Sequence, residues 1–248
     1  MEKLENRLGP EELSKNFGMF FDRVDDGLAA LLIRYLHDSD QQVKITSMKG
    51  DGYIWRSKRK LWVQSDSQQC KDYLRSKLAK AIYEAIRLLK DDADRTARLE
   101  KHLKRDVHKV AGFYGIFEVA RVLLRVDAFE SQLNVSDEDV VPILDGNLVS
   151  LRDGSVRART PQDLFSFECP VRFLGKEHPC AHANRFFKEV FISDPALIDY
   201  AQQLLGYCLS GSSVAKAFFI FCGKGNNGKT TLMEMMKRHD GCYMVQPM

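Results

Sequence analysis

The sequence predicts an α+β chain, mostly helical and with small β-hairpins, followed by the opening strand, turn and helix of an α/β domain. Three observations predict it. Apolar residues recur at helical spacing over most of residues 1–38, 66–132 and 183–210. Between them, at 43–63 and 134–175, β-forming residues flank short glycine turns. Near the C-terminus, the apolar run Phe218-Phe219-Ile220-Phe221-Cys222 meets a glycine-rich turn and then helix formers from Thr231 to Lys237. The expected organisation is a helical segment over 1–42, a mostly helical domain with hairpins over 43–211, and the start of an α/β domain over 212–248.

Composition narrows the class. The 248 residues are 44% hydrophobic and 29% charged, as in soluble globular proteins rather than disordered or fibrous ones. A formal charge of +3 is too small to imply a polyanionic partner by itself, so local clusters must carry that argument. No apolar run approaches the length of a membrane span, and MEKLENRLGPEEL has no apolar signal core. Six cysteines without a C-x-x-C pair suit a reducing compartment. An intracellular, cytoplasmic location is expected, with no membrane partner.

In the first segment, Phe17, Phe20, Phe21, Val24, Leu28, Leu31, Leu32 and Tyr35 fall at helical intervals, with Gly18 and Gly27 as expected breaks. Asp25-Asp26 reads as a cap or a solvated face, because nothing nearby completes a metal site. Residues 43–63 read as a meander whose last hairpin pairs Tyr53-Ile54-Trp55 with Leu61-Trp62-Val63. Arg56, Lys58, Arg59 and Lys60 crowd its tip, either as phosphate contacts or as a solvated turn.

A long helix follows, capped by Asp66 or Ser67, with Tyr73, Leu74, Leu78, Ala81, Ile82, Ala85, Leu88 and Leu89 on one face. Asp91-Asp92 suits a break before a helix from Arg95 to Val110. There Leu99, Leu103, Val107 and Val110 form an apolar stripe beside a basic one of Arg98, Lys101, Arg105 and Lys109. That second stripe reads either as the lining of a DNA channel or as an ordinary exposed face. The next helix is expected to turn Ile116, Val119, Ala120, Leu123 and Leu124 inward.

In residues 134–175, Asp145-Gly146-Asn147 and Asp153-Gly154-Ser155 are turn signals, and 147–151 should pair with 156–158. His178, Cys180 and His182 invite a zinc reading, against which stand Pro179 and the lack of a second cluster at zinc spacing. Two helices then flank Ser193-Asp194-Pro195, and the domain boundary is expected at Ser210-Gly211-Ser212-Ser213.

Gly223-Lys224-Gly225-Asn226-Asn227-Gly228-Lys229-Thr230 matches G-x-x-x-x-G-K-[ST] at every fixed position. Glycines at 223, 225 and 228 allow left-handed turns and bring backbone N–H groups close to phosphate oxygens. The helix beyond, starting near Thr231, points its unpaired N–H groups and positive dipole end at the same anion. Lys229 supplies a cation for the β- and γ-phosphates, and the Thr230 hydroxyl a ligand for Mg²⁺. The cofactors implied are ATP and Mg²⁺.

The order of parts resembles the primase–helicases of viruses, phages and plasmids, of superfamily 3. The segment ILDGNLVSLRDGSVRARTPQDLFSF is similar to the stretch that precedes their motor. Pro179-Cys180 (in inverted order), Phe186-Phe187, Asp194-Pro195-Ala196-Leu197, Leu205-Gly206-Tyr207-Cys208-Leu209-Ser210-Gly211 and the phosphate loop continue the resemblance across 140–236. Over 50–139 it is looser, resting on the Trp55/Trp62 hairpin, which is similar to that of poxvirus-type members. The resemblance implies a ring of subunits that hydrolyses ATP and pulls single-stranded DNA through its centre during replication. It also implies a helical collar before the loop and a primase or other replication partner. Gly223, Gly225, Asn227, Gly228, Lys229 and Thr230 take the nucleotide roles by that resemblance. The family's acidic pair, sensor residue and arginine finger are expected beyond this stretch of sequence. A non-catalytic assembly or DNA-binding module is the alternative. A small-molecule P-loop kinase fits the loop but not the helical part upstream.

Overall fold

The computed structural model describes residues 24–38, 42–88, 92–135, 139–210, 214, 216 and 218–240. Packing groups the chain into two compact units, residues 1–57 with 62–133, and 58–61 with 134–248. This grouping does not follow the expected divisions at 42/43 and 211/212. The helix before residue 42 packs with the first unit, and the phosphate-loop helix with the second.

In the first unit, α1 (Val24–Asp38), α2 (Ser67–Leu88), α3 (Ala93–His102) and α4 (Phe113–Leu123) surround one core, beside a three-stranded sheet. Its strands are β1 (Val43–Ile45), β2 (Gly52–Arg56) and β3 (Leu61–Ser65), in that order. Of the residues expected in α1, Leu28, Leu31 and Leu32 are buried and Tyr35 packs against the core. Gly27 does not break the helix, which runs through it. Phe17, Gly18, Phe20 and Phe21 lie outside the described residues.

The 22-residue α2 buries Cys70, Leu74, Leu78, Ala81, Ile82 and Ala85 on one stripe, as its periodicity predicts. Lys77 lies on that stripe too. Leu88, expected inside, is exposed at the end of the helix. Asp66 caps α2 by accepting from the Gln69 amide at 2.8 Å, while Gln69 Oε1 accepts from the Asp66 amide at 3.2 Å. Asp51, in the turn before β2, accepts from the Ser67 amide at 2.8 Å and so ties the hairpin to the helix. Trp55 and Trp62 sit 5.8 Å apart on neighbouring strands, and Trp62 meets Phe129 edge-on at 5.1 Å.

The helix expected from Arg95 to Val110 is not continuous. It is α-helical to His102, opens into a π turn over Leu103–Val107, and tightens to a 3₁₀ turn at Val110–Gly112. The wide turn keeps Leu103 and Val107 buried while setting the buried Asp106 carboxylate against His102 Nδ1 at 2.7 Å and Arg105 Nε at 2.5 Å. In α4, Ile116, Phe117 and Ala120 face the core, but Leu123 is 59% exposed. The chain leaves the helix there, because the Leu124 carbonyl accepts from the Ile45 amide and Val126 donates to Ile45. Those bonds turn Leu124 toward the core and Leu123 away.

In the second unit, β4 (Val140–Ile143), β5 (Asn147–Ser150) and β6 (Val156–Ala158) form an antiparallel sheet, with Val149 opposite both Val141 and Val156. The two expected turns are in place: Asp145 and Gly146 take φ of 67° and 71°, and Gly154 takes 70°. Val141, Ile143 and Val149 cover one face with Cys169, while Leu148 meets Leu61 and Phe165 on the other. Arg159 is fully buried after β6. Its guanidinium donates to the Arg59 carbonyl at 3.1 Å and to the Glu168 carboxylate. Three helices complete the unit: α5 (Ala181–Val190), α6 (Pro195–Ser210) and α7 (Lys229–Asp240). Asp194 caps α6 by accepting from the Ala196 and Leu197 amides.

Two predictions concern the buried charges. Glu168→Ala strands the Arg159 guanidinium and should cost roughly 3–5 kcal/mol, against less than about 1 kcal/mol for breaking the exposed Arg152–Asp139 pair. Urea midpoints at constant slope compare them, and equal shifts refute the assignment. Burial pushes the Asp106 carboxyl up, but hydrogen bonds from Arg105 and His102 prevail and hold it below the usual carboxylate range. A depressed folded-state pKa means its contribution is present above the unfolded carboxylate range and lost as pH falls through the folded value. Asp106→Asn should therefore flatten the acid limb of the stability–pH curve and leave the alkaline limb unmoved.

Candidate functional site

The phosphate-loop residues are brought together at the start of α7. Residues 223–224 carry no regular structure, 225–228 bend, and the helix begins at Lys229. Asn226 at φ 60° and Gly228 at φ 83° take left-handed conformations, which fold the loop back over the helix start. The Lys229 side chain curls under this fold. Its Nζ donates to the Asn227 Oδ1 at 2.7 Å, to the Gly223 carbonyl at 3.0 Å and to the Lys224 carbonyl at 3.1 Å. The ammonium is thus the hub of the loop, and its three partners are residues of the motif.

Close approach bears on two of the glycines, and at Gly228 the positive φ makes it strict. A side chain on Gly223 would overlap Asn227 Nδ2, and one on Gly228 would meet Val190 Cγ2 at 2.6 Å, with Phe186 behind it at 3.6 Å. Gly225 has open space around its Cα. Thr230 and Thr231 are on the first turn of α7, and Lys224 contributes its carbonyl. The first helical N–H groups have no intrahelical acceptors, by the geometry of any helix start, while the Leu232 amide already bonds to the Gly228 carbonyl at 2.9 Å.

What seats the loop was not visible in the motif. Leu232 of α7 is buried with Phe187 of α5 and Ala201 of α6, and Phe186, Phe191, Ile198 and Leu205 pack around them. The helices read as a collar therefore support the loop helix directly. Beside the loop lies a cavity of about 320 Å³, reached by Val190, Tyr200, Phe221, Asn227 and Lys229 among others, and its lining includes no carboxylate among the described residues. The run Phe218–Cys222, expected as a strand, has no strand pairing among the described residues. A strand needs a partner for its N–H and C=O groups, and neither sheet of the described residues reaches it. Phe218 and Ile220 are 83% and 72% exposed, although Tyr207 meets the Phe219 ring edge-on at 6.3 Å.

The other sequence candidates separate. His178, Cys180 and His182 are exposed around the start of α5, and no group of three His, Cys, Asp or Glu able to hold a metal occurs among the described residues. Of the basic stripe, Arg98 pairs with Asp94 at 2.8 Å and Arg105 with Asp106. At the hairpin tip, Arg59 lies 3.6 Å from Glu168, and Lys60 packs over Gly146. No helix among the described residues is long and apolar enough to cross a membrane.

No family model matches the chain. Over 107 residues, 42% of its length, the chain is 26% identical to the "Putative helicase L207/L206" of Acanthamoeba polyphaga mimivirus. The match covers 11% of that protein's length. The chain is thus distantly and partially similar to a viral protein described as a helicase.

The loop geometry makes a paired prediction. Gly228→Ala places a Cβ at positive φ against Val190 and should destabilise the second unit by about 1–3 kcal/mol, whereas Gly225→Ala should stay within roughly 0.5 kcal/mol of wild type. Urea denaturation of the two variants side by side decides it, and equal losses would contradict the seating of the loop against α5.

Proposed function

We propose that this chain is the ATP-binding part of an ATP-dependent DNA helicase of primase–helicase type, unwinding DNA in a ring of subunits during replication. One observation carries the reading: the Lys229 ammonium sits at the hub of a glycine loop that opens directly into a helix N-terminus. The distant similarity to a viral protein described as a helicase supports it.

The residues present fit a nucleoside triphosphate. Phosphate oxygens are stronger acceptors for an ammonium than the carbonyls of Gly223 and Lys224, so Lys229 exchanges neutral partners for charged ones. The loop amides and those of Lys229, Thr230 and Thr231 supply further donors, aligned with the helix dipole. Glycine at 223 leaves room for the Asn227 amide, and glycine at 228 lets the loop lie against Val190. Thr230, on the first helical turn, is the residue that would hold Mg²⁺ through its hydroxyl. The metal, when bound, neutralises charge on the β- and γ-phosphates. Asn227 orients Lys229 through its Oδ1 and sets where the ammonium waits before a nucleotide arrives.

The arrangement accounts for binding. Hydrolysis also needs a carboxylate that positions the metal and water, and none lines the cavity beside the loop among the described residues.

Titration calorimetry with ATP and Mg²⁺ tests the reading. The wild-type chain should bind, and Lys229→Ala should weaken binding at least tenfold, since it removes the cation at the loop's centre. Unchanged affinity in that variant sinks the nucleotide assignment. Nucleotide binding and assembly without turnover stimulated by single-stranded DNA would instead favour a non-catalytic module.

A further inference from the structure

Many arginines in this chain close on carboxylates, as Arg98 does on Asp94, Arg121 on Glu118 and Arg157 on Asp163. Around Tyr73 the arrangement is different. Arg56, at the end of β2, sets its guanidinium 5.6 Å from the centroid of the Tyr73 ring. Lys77, one turn along α2, sets its Nζ 4.8 Å from the same centroid. Lys80 follows three residues on, on the neighbouring helical position.

Lys77 is only 9% exposed, yet its ammonium faces an aromatic ring and not an anion. No carboxylate pairs with Arg56, Lys77 or Lys80 among the described residues. Burial, and then the charges of Lys80 and Arg56, hold the Lys77 ammonium below the usual lysine range. Burial likewise pushes the Tyr73 phenol up to about 12, against the opposing pull of Arg56, so the ring carries no compensating charge near neutral pH. Glu84, one turn beyond Lys80, acts on Tyr35. Two exposed cations held against a partly desolvated third destabilise the folded chain, and a bound anion would relieve the repulsion.

The layout points to the kind of anion. Lys77 and Lys80 stand about 4.5 Å apart along the helix axis and Arg56 reaches the Tyr73 ring from β2, a spread of cations over two elements that offers contacts to successive phosphates. Guanidinium and ammonium groups are both phosphate donors. The Tyr73 ring is occupied by cations and is not offered for base stacking, so the contact reads backbone and not sequence. We propose that Arg56 and Lys77, both over the Tyr73 ring, together with Lys80 further along α2, form a docking ridge for the phosphate backbone of a single-stranded nucleic acid. The class of partner rests on the helicase reading, but every residue of the ridge belongs to the first unit and none to the phosphate loop.

Fluorescence anisotropy of the full chain with fluorescein-labelled oligothymidylate, without nucleotide, tests the ridge. The wild type should bind, with affinity falling steeply between ~50 and ~200 mM salt. Arg56→Gln and Lys80→Gln should each lower affinity roughly fivefold and flatten the logarithmic salt slope by about 0.7. Lys80→Arg should bind as wild type does, and so should Lys101→Gln on the basic stripe of α3. Arg56 and Lys80 are exposed and removing either relieves repulsion on Lys77, so these variants should not lower the melting temperature. Absence of binding at ~50 mM salt, or wild-type binding by stably folded Arg56→Gln and Lys80→Gln, overturns the proposal. Tighter binding to phosphatidylserine vesicles than to the oligonucleotide, lost in the same variants, also overturns it by assigning the ridge to a membrane surface. Lys229→Ala keeps the two readings apart. It should retain oligonucleotide binding, so loss of ATP binding and loss of the ridge are separately visible.

Discussion

A cation withdrawn from water needs a compensating partner, and that constraint recurs at each point where this chain does something unusual. Arg159, with no exposed side-chain surface, takes a carboxylate and a carbonyl. Lys77 takes the face of Tyr73. Lys229, only partly covered, takes two backbone carbonyls and the amide oxygen of Asn227. The three solutions differ in how readily they are exchanged. The Glu168 carboxylate is a full countercharge, which makes Arg159 a structural fixture. A ring face or a set of carbonyls is neutral, so a phosphate can replace it at a gain.

That difference sorts the basic residues better than their number does. With a formal charge of only +3, long-range attraction to a polyanion is weak. Local shortage of carboxylates is then what marks a site. The exposed pairs Arg98–Asp94 and Arg152–Asp139 are already matched, and binding an anion there would first require breaking them. The loop around Lys229 and the ridge around Tyr73 meet no such competitor among the described residues, and each is seated on a packed helix. In the loop, the seat is the contact of Gly228 with Val190 together with the small core of Phe187, Ala201 and Leu232.

The sequence is most legible where a single helix or hairpin decides the outcome. The α2 stripe as far as Ala85, the Asp194 cap, the glycine turns at 146 and 154 and the pairing of 147–149 with 156–158 depend on neighbours within a few residues, and all are in place. Legibility fails where distant segments compete for the same groups. Residues 95–110 have the period of one helix, but the chain widens into a π turn at Leu103–Val107, where Asp106 meets His102 and Arg105. Leu123 has the right spacing and the wrong exposure, because Ile45 claims the backbone that follows it. The run Phe218–Cys222 has strand-forming composition, yet a strand is a relation between segments, and no pairing segment lies beside it among the described residues.

By itself, the sequence determined where the glycine-rich turn meets a helix and most of the residues that helices turn inward, since both follow from spacing along one stretch of backbone. The tertiary structure decided which cations are left without a carboxylate, because ion pairing and burial are settled by what folds alongside. Arg56 and Lys77 are 21 positions apart and share a ring only because β2 lies beside α2. Charge along a chain is additive, whereas its compensation depends on distance in space.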